Sequence, residues 1–314
     1  MQRKTAFKIA FLMLALTAAA ICAVMLIDPW NWLNGDVDTV AESTAFPGVE
    51  EPSLQPPAEP VSQQPFNVLI LGLDHGLDRP EDGNERSDVM IIAHIDEAKG
   101  RACLVSIPRD SYVNIPGYRT SKINEAYQVG GPELAVQTVE QLTGMDIRNH
   151  IVVDFDEFKW LVDLFGGVQV TLSEPLSDPK LGNIPAGSQV LDGDMALIMA
   201  RSRDYPTGDL ERVRQQQMLL IQILYKGKEL AAYPGAAWFL SVAMEPLETD
   251  LTQDEVIRLA RGFAANPVVD VQGGVAPGRI GSTGGASVYF IDEAKLQELV
   301  SSVQSMCLVP EEFR

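Results

Sequence analysis

The chain has 314 residues, a formal net charge of −19 and a pI near 4.5. That length suits one large domain or two ordinary ones, and an apolar fraction of 46% supports a sizeable buried core. An acidic surface does not displace counterions from nucleic-acid phosphates, so no nucleic-acid partner is expected, and any phosphate site here must be a local island of cations.

Residues 1–8 carry Arg3, Lys4 and Lys8, and an uncharged apolar run of 19 residues follows from Ile9 to Ile27. The run is close to the ~20 residues that span a hydrocarbon core and longer than the ~7–15 of a signal peptide's apolar region. Ala18, Ala19 and Ala20 resemble a cleavage site, but apolar residues continue after them. An uncleaved transmembrane anchor over 9–27 is therefore expected. The flanking positive charges place 1–8 in the cytoplasm and everything after Asp28 outside. Residues 28–65 read as an extracytoplasmic tether. Pro47, Pro52, Pro56, Pro57, Pro60 and Pro65 stand among Glu, Ser and Gln, a mixture too poor in apolar groups to fold alone.

The folded region is expected over 66–314. Strands are predicted at 67–73, 88–95 and 102–107, then a helix at 131–143, a strand at 151–155 and a helix at 156–165 closed by Gly166-Gly167. A strand at 168–172 follows, then helices at 192–201, 209–228, 237–245 and 252–263, a strand at 287–291 and a helix at 292–303. This alternation argues an α/β fold, a single mixed sheet flanked by helices. The glycine-rich stretch 278–287 lacks the lysine of a phosphate-binding loop and reads as a flexible loop. Residues 229–314 carry no chemical motif and are assigned to packing. Cys22, Cys103 and Cys307 lack metal-ligand spacing and read as small apolar residues, with a Cys103–Cys307 disulfide left open.

Polar residues recur at strand ends. Asp74 follows the first strand, Arg86 and Asp88 open the second, and Arg109 and Asp110 follow the third. Ligands of α/β sheets bind outside the carboxyl ends of strands. A further cluster holds Arg201, Arg203, Arg212 and Arg214 within fourteen residues. On a helix beginning at 209, Asp209, Arg212 and Gln216 share one face. The guanidinium fork binds phosphate oxygens bidentately, and Mg²⁺ favours one or two carboxylates together with substrate phosphates. The residues thus suit phosphoryl transfer, which needs mainly positioning and charge stabilisation. No Ser/His/Asp order or nucleophile elbow is present. His75, beside Asp74, has no second histidine at ligand spacing, and His94 lies in an apolar strand as a core residue.

Together the motifs NVLILGLD (67–74), RSDVMIIAHID (86–96), LVSIPRDSYVNIPGY (104–118), KINEAY (122–127), VVDFDEFKWLVDLFGGVQV (152–170) and ALIMARSRD…GDLERVRQQQ (196–217) resemble the LytR–CpsA–Psr family, in family order over about 150 residues. The resemblance implies a membrane-anchored enzyme that moves a phospho-glycopolymer, such as a teichoic acid or capsular polysaccharide, from a polyprenyl pyrophosphate carrier to a peptidoglycan sugar hydroxyl. By position, Asp74 and Asp88 look like the Mg²⁺ (or Mn²⁺) carboxylates. Arg86, Arg109, Arg201, Arg203, Arg212 and Gln216 look like the pyrophosphate-binding set. Lys122 and Asn124 belong to the family's KIN motif, and Asp209 to its GD element. Two departures stand out. Gln215 occupies a position where the family often has arginine, which leaves Arg214 outside the expected site, and Glu81-Asp82 forms an acidic insert. Asp74, Asp88 and Arg109 are the expected catalytic set. The rival outcomes are hydrolysis of the lipid pyrophosphate, and a non-catalytic module that binds lipid phosphate.

Overall fold

The computed structural model describes residues 64–74, 85–178, 182–202, 209–231, 236–265 and 270–314. The expected span at 9–27 and the tether as far as 63 lie outside the described residues, as do His75, the acidic insert and Arg203. Among the described residues no helix is long and apolar enough to cross a membrane.

The first half runs β1 (Phe66–Leu73), β2 (Ser87–Asp96), β3 (Arg101–Ser106), β4 (Tyr112–Asn114), β5 (Thr120–Lys122), α1 (Glu125–Thr143), β6 (Asn149–Val153), α2 (Phe155–Leu164) and β7 (Val168–Leu172). The second half runs β8 (Leu176–Asp178), β9 (Gly182–Ile184), β10 (Gly187–Leu191), α3 (Gly193–Arg201), α4 (Asp209–Ala231), α5 (Ala236–Met244), β11 (Glu248–Thr249), α6 (Gln253–Ala265), β12 (Asp270–Val275), β13 (Gly278–Thr283), β14 (Ala286–Ile291), α7 (Glu293–Met306) and a closing 3₁₀ turn, Glu311–Phe313. Six strands form the central sheet in the order β11-β6-β1-β2-β3-β12. It is mixed: β1 pairs antiparallel with β2 but parallel with β6, and β3 pairs parallel with β12.

Alternation along β1 sends its side chains to two different cores. Leu69, Leu71 and Leu73 join Met90, Ile92, Cys103 and Val105 on one face, covered by Ala135 and Val139 of α1 and by Leu296, Leu299 and Val303 of α7. Ile70 points the other way, with Ile91, Ala93 and Leu104, toward Leu220 and Ile221 of α4. A third cluster joins Val162 of α2 to Val168 and Leu191 of the β7–β10 ribbon, Ile198 of α3 and Leu219 of α4. Near the C-terminus, Val309 and Phe313 complete the first core.

Two local features differ from the sequence expectation. The helical segment begins at Glu125 and is broken at Gly130-Gly131, where Gly131 takes φ 66°, ψ −161°, a conformation open to glycine; Pro132 starts the second stretch. The expected flexible loop at 278–287 is instead a hairpin, with Gly278 to Thr283 paired residue by residue to Ile291 to Ala286. Gly284 and Gly285, both at positive φ, make its two-residue turn. A Cβ at Gly281 would lie 2.6 Å from the Phe290 ring, so glycine is used here for close cross-strand packing.

Candidate active site

The site starts at a kink. The β1–β2 register shifts between Gly72 and Leu73, and the Asp74 amide donates to Arg86 O at 3.4 Å. A bulge of this kind re-aims the residues beside it. It brings Asp74 and Asp88 to the same sheet end. The chain leaving β3 carries Arg109 to that end, where its guanidinium forms an ion pair with the Asp88 carboxylate.

Behind these residues lies a cavity of about 450 Å³ between the α4-facing side of the sheet and helices α2, α3 and α4. Its long walls are apolar, with Ile70, Val89 and Ile91 from the sheet, Phe158 and Leu161 from α2, and Leu220 and Ile223 from α4. Its polar lining includes Asp74, Asp88, Arg109, Arg201, Arg212 and Gln216. A cavity of this size and lining suits an amphiphile with an apolar chain and an anionic head.

The helices aim the cations. Arg201 ends α3, whose N-terminus is capped by Asp192 accepting from the Met195 amide at 2.9 Å. Its guanidinium lies 5.0 Å above the Phe155 ring, and its Nη1 is buried with no hydrogen-bond partner. Arg212 is only 4% exposed, an unusual burial for arginine. Gln216, one turn on, donates to Ala200 O at 2.9 Å and so ties α4 to the end of α3. Asp209 opens α4, but its side chain lies outside the described set, as does all of Arg203.

Three expected residues stand back from the cavity wall. Lys122 holds Asp110 at 2.6 Å, and Asp110 in turn lies 3.9 Å from Arg109. The sequence Lys122–Asp110–Arg109–Asp88 is therefore a row of alternating charge, in which Lys122 supports the arginine from behind. The Asn124 amide donates to Arg109 O at 3.3 Å, which holds the backbone of the same turn. Arg86 donates from Nε to Gln128 of α1 at 2.9 Å. Arg214 lies off the site, with its side chain 44% exposed and 3.7 Å from Glu211. Gln215 turns to Glu211 as well, at 2.9 Å.

The structure also brings in residues that the sequence did not single out. Asp154 and Asp178 border the cavity. Asp154 forms a capping box with Glu157 at the start of α2, and the D-x-x-E spacing was a legible sign of that cap. Asp178 had no such sign. Gln217 is buried, with its amide nitrogen within 3.1 Å of Leu104 O, Ser106 Oγ and Gly274 O. It pins α4 to β3 and β12, and a Cβ at Gly273 would lie 2.2 Å from its Oε1.

For a divalent cation, Asp74 and Asp88 are the fitting pair. Asp74 Oδ1 is buried without a hydrogen-bond partner. An orphaned buried carboxylate oxygen is costly unless something binds it. The described residues contain no group of three or more metal-ligating side chains. That donor set suits a cation that completes its shell with substrate phosphate and water, as Mg²⁺ does.

A sequence model of the LytR_cpsA_psr family matches residues 37–305. The chain belongs to the LytR–CpsA–Psr family. One similar relative, a polyisoprenyl-teichoic acid–peptidoglycan teichoic acid transferase, TagU, of Enterococcus faecalis, is 31% identical over 255 residues, covering 78% of this chain and 80% of the relative. Among solved structures of the family, TagT bound to LIIa-WTA matches with TM-score 0.64 and 27% identity, over 77% of this chain and 90% of the other. TagT, a Bacillus subtilis protein, with bound octaprenyl pyrophosphate matches with TM-score 0.60 and 25% identity over the same shares. The mixed sheet flanked by helices is thus the family's architecture.

Proposed function

We propose that this chain transfers a phospho-glycopolymer from a polyprenyl pyrophosphate carrier to a peptidoglycan sugar hydroxyl. The observation that carries the reading is the union, in one cavity, of apolar walls with a polar lining of three arginines and four carboxylates, Asp74 and Asp88 among them. The two neighbours with bound ligand support it, since one holds octaprenyl pyrophosphate and the other LIIa-WTA. So does the transferase named among the relatives.

In this reading the isoprenoid lies between Ile70, Val89 and Ile91 on one side and Phe158, Leu220 and Ile223 on the other. Arg109, Arg201 and Arg212 take the pyrophosphate oxygens, and Gln216 holds α3 and α4 at the spacing this requires. The acceptor hydroxyl attacks the glycan-linked phosphorus and its proton passes to a carboxylate of the Asp74–Asp88 pair. The phosphorus–oxygen bond to the lipid phosphate breaks, leaving a phosphodiester and polyprenyl phosphate. Guanidinium groups fixed before the reaction stabilise charge on the leaving phosphate without reorganising. Asp74 and Asp88 would hold Mg²⁺ or Mn²⁺, which when bound supplies further neutralisation of phosphate charge. The apolar run at 9–27, preceded by Arg3, Lys4 and Lys8, supports a single-pass anchor with this domain outside the cell membrane, where lipid carrier and peptidoglycan meet.

The test incubates the full chain in detergent with a synthetic polyprenyl-pyrophosphate glycan and peptidoglycan fragments, with and without Mg²⁺. Mass spectrometry should find a glycan–phosphate–peptidoglycan adduct that depends on the metal. Lipid consumption without adduct would replace transfer by hydrolysis, and binding without consumption would leave a non-catalytic module.

A further inference from the structure

Away from the active site, on the α7 side of the sheet, two buried cysteines meet. Cys103 of β3 and Cys307 after α7 have their sulfurs 3.1 Å apart, although 204 positions separate them in sequence. Both side chains are within the first core, 0% and 2% exposed. The sulfurs need approach by only roughly 1 Å more to reach a disulfide bond of about 2.05 Å.

The backbone at Cys307 is a second, independent observation. Cys307 is the only non-glycine residue with positive φ among those described, at 46°. It caps α7 in the left-handed conformation, with its amide donating to Val303 O at 2.9 Å. Glycine is the usual residue at such a cap, because a Cβ is disfavoured there. This chain instead carries a side chain whose sulfur is directed at Cys103.

The surroundings hold the pair together from both sides. Cys103 lies between His94 of β2 and Gln272 of β12 in the sheet register. Gln272 Oε1 accepts from the Val309 amide and from Arg314 Nη2, each at 3.0 Å, which fastens the tail just beyond Cys307 to the same edge.

We propose that Cys103 and Cys307 form an intramolecular disulfide that staples the C-terminal helix to β3, beside the edge strand β12. In the folded chain both sulfurs are closed to solvent, so the bond forms while α7 is still settling onto β3. Hydrogen bonding between the sulfurs holds the Cys307 thiol below its ordinary range and pushes that of Cys103 up. Before that packing is complete, one of the two cysteines attacks as its thiolate, on the disulfide of an exported thiol–disulfide oxidoreductase. The other, losing its proton, then displaces the oxidoreductase from the mixed disulfide. The two thiol protons and two electrons pass to the oxidant, whose disulfide becomes a dithiol. The bond is a permanent staple, because a buried disulfide is shielded from reductants. The oxidant depends on the extracytoplasmic placement proposed above; the transfer reaction does not enter.

The test uses the full chain, purified in detergent from the membranes of a host that exports it. The protein is unfolded in urea and labelled with a maleimide, with and without prior reduction, and weighed intact. Reduction should expose two additional thiols, and digestion without reductant should yield the Cys103 and Cys307 peptides joined. Cys307→Ser should free Cys103 for labelling without reductant. The wild-type Tm should fall by roughly 10 °C when a phosphine is present during heating, a shift that a Cys103→Ala/Cys307→Ala variant should lack. An equal thiol count before and after reduction in the exported wild-type protein would overturn the proposal, whatever the variants do. If the staple is absent while adduct formation persists, the functional reading stands alone.

Discussion

Replacing Arg109 by alanine separates the chemistry of this site from its architecture. In stability terms Arg109 contributes little. Its side chain and that of Asp88 are 18% and 21% exposed, and a partly solvated pair of this kind is worth about 0–1 kcal/mol. Lys122 and Asp110 remain in place and hold the same turn. On a pyrophosphate, however, the guanidinium offers two charge-assisted hydrogen bonds of about 1.5–3 kcal/mol each. If these strengthen as charge builds on the leaving phosphate, a net loss of about 3–4 kcal/mol lowers kcat/KM by roughly 10²–10³-fold. Arg109→Lys keeps the charge but loses the fork, so it should fall between, roughly tenfold below wild type. The assay follows adduct formation by mass spectrometry beside a thermal melt of each variant. An Arg109→Ala protein within threefold of wild-type kcat/KM, with an unchanged Tm, would refute the assignment.

Two further predictions rest on other parts of the molecule. Leu220 lines the groove from α4, so Leu220→Asn should weaken octaprenyl-phosphate binding by about 1–3 kcal/mol, roughly five- to a hundredfold, with Arg109 and Arg212 untouched; unaltered lipid binding would remove the chain from this groove. The second concerns pH. Asn67 donates from Nδ2 to Asp146 O at 2.7 Å, so its Oδ1 accepts from His94 Nδ1 at 2.8 Å, and Nε2 is buried without a partner. Burial lowers the His94 pKa below its ordinary value, against the pull of Asp96 and with the push of Lys99. A histidine kept neutral by folding contributes stability above its unfolded pKa of about 6.5 and loses it as pH falls toward the depressed folded value. The Tm should therefore drop on acidification below about pH 6.5, and His94→Gln should flatten that dependence; an equal slope in both proteins would exclude His94 as the source.

Much of the frame was legible. The runs 67–73, 88–95 and 102–107 are strands because their apolar residues lie on both faces of a central sheet, and the structure places β1, β2 and β3 within a residue of those bounds. The hairpin at 278–291 was misread because glycine carries two meanings. Gly284-Gly285 signals a tight turn, while Gly281 is there to admit the Phe290 ring, and only the paired strand distinguishes packing from looseness.

For the site, sequence alone singled out the candidate side chains: carboxylates and arginines clustered at strand ends in a chain of opposite charge. Tertiary structure decided how they divide. Asp74, Asp88, Arg109, Arg201, Arg212 and Gln216 border one cavity, whereas Arg86 and Lys122 turn to Gln128 and Asp110. It also decided that Ile70 and Ile91 face a groove while Leu69 and Ile92 fill a core. In sequence those apolar residues are equivalent, since alternation along a strand tells which residues share a face but not what lies opposite it. The same limit applies to Cys103 and Cys307. Nothing in their spacing joins them, and they meet only because α7 folds back across the sheet.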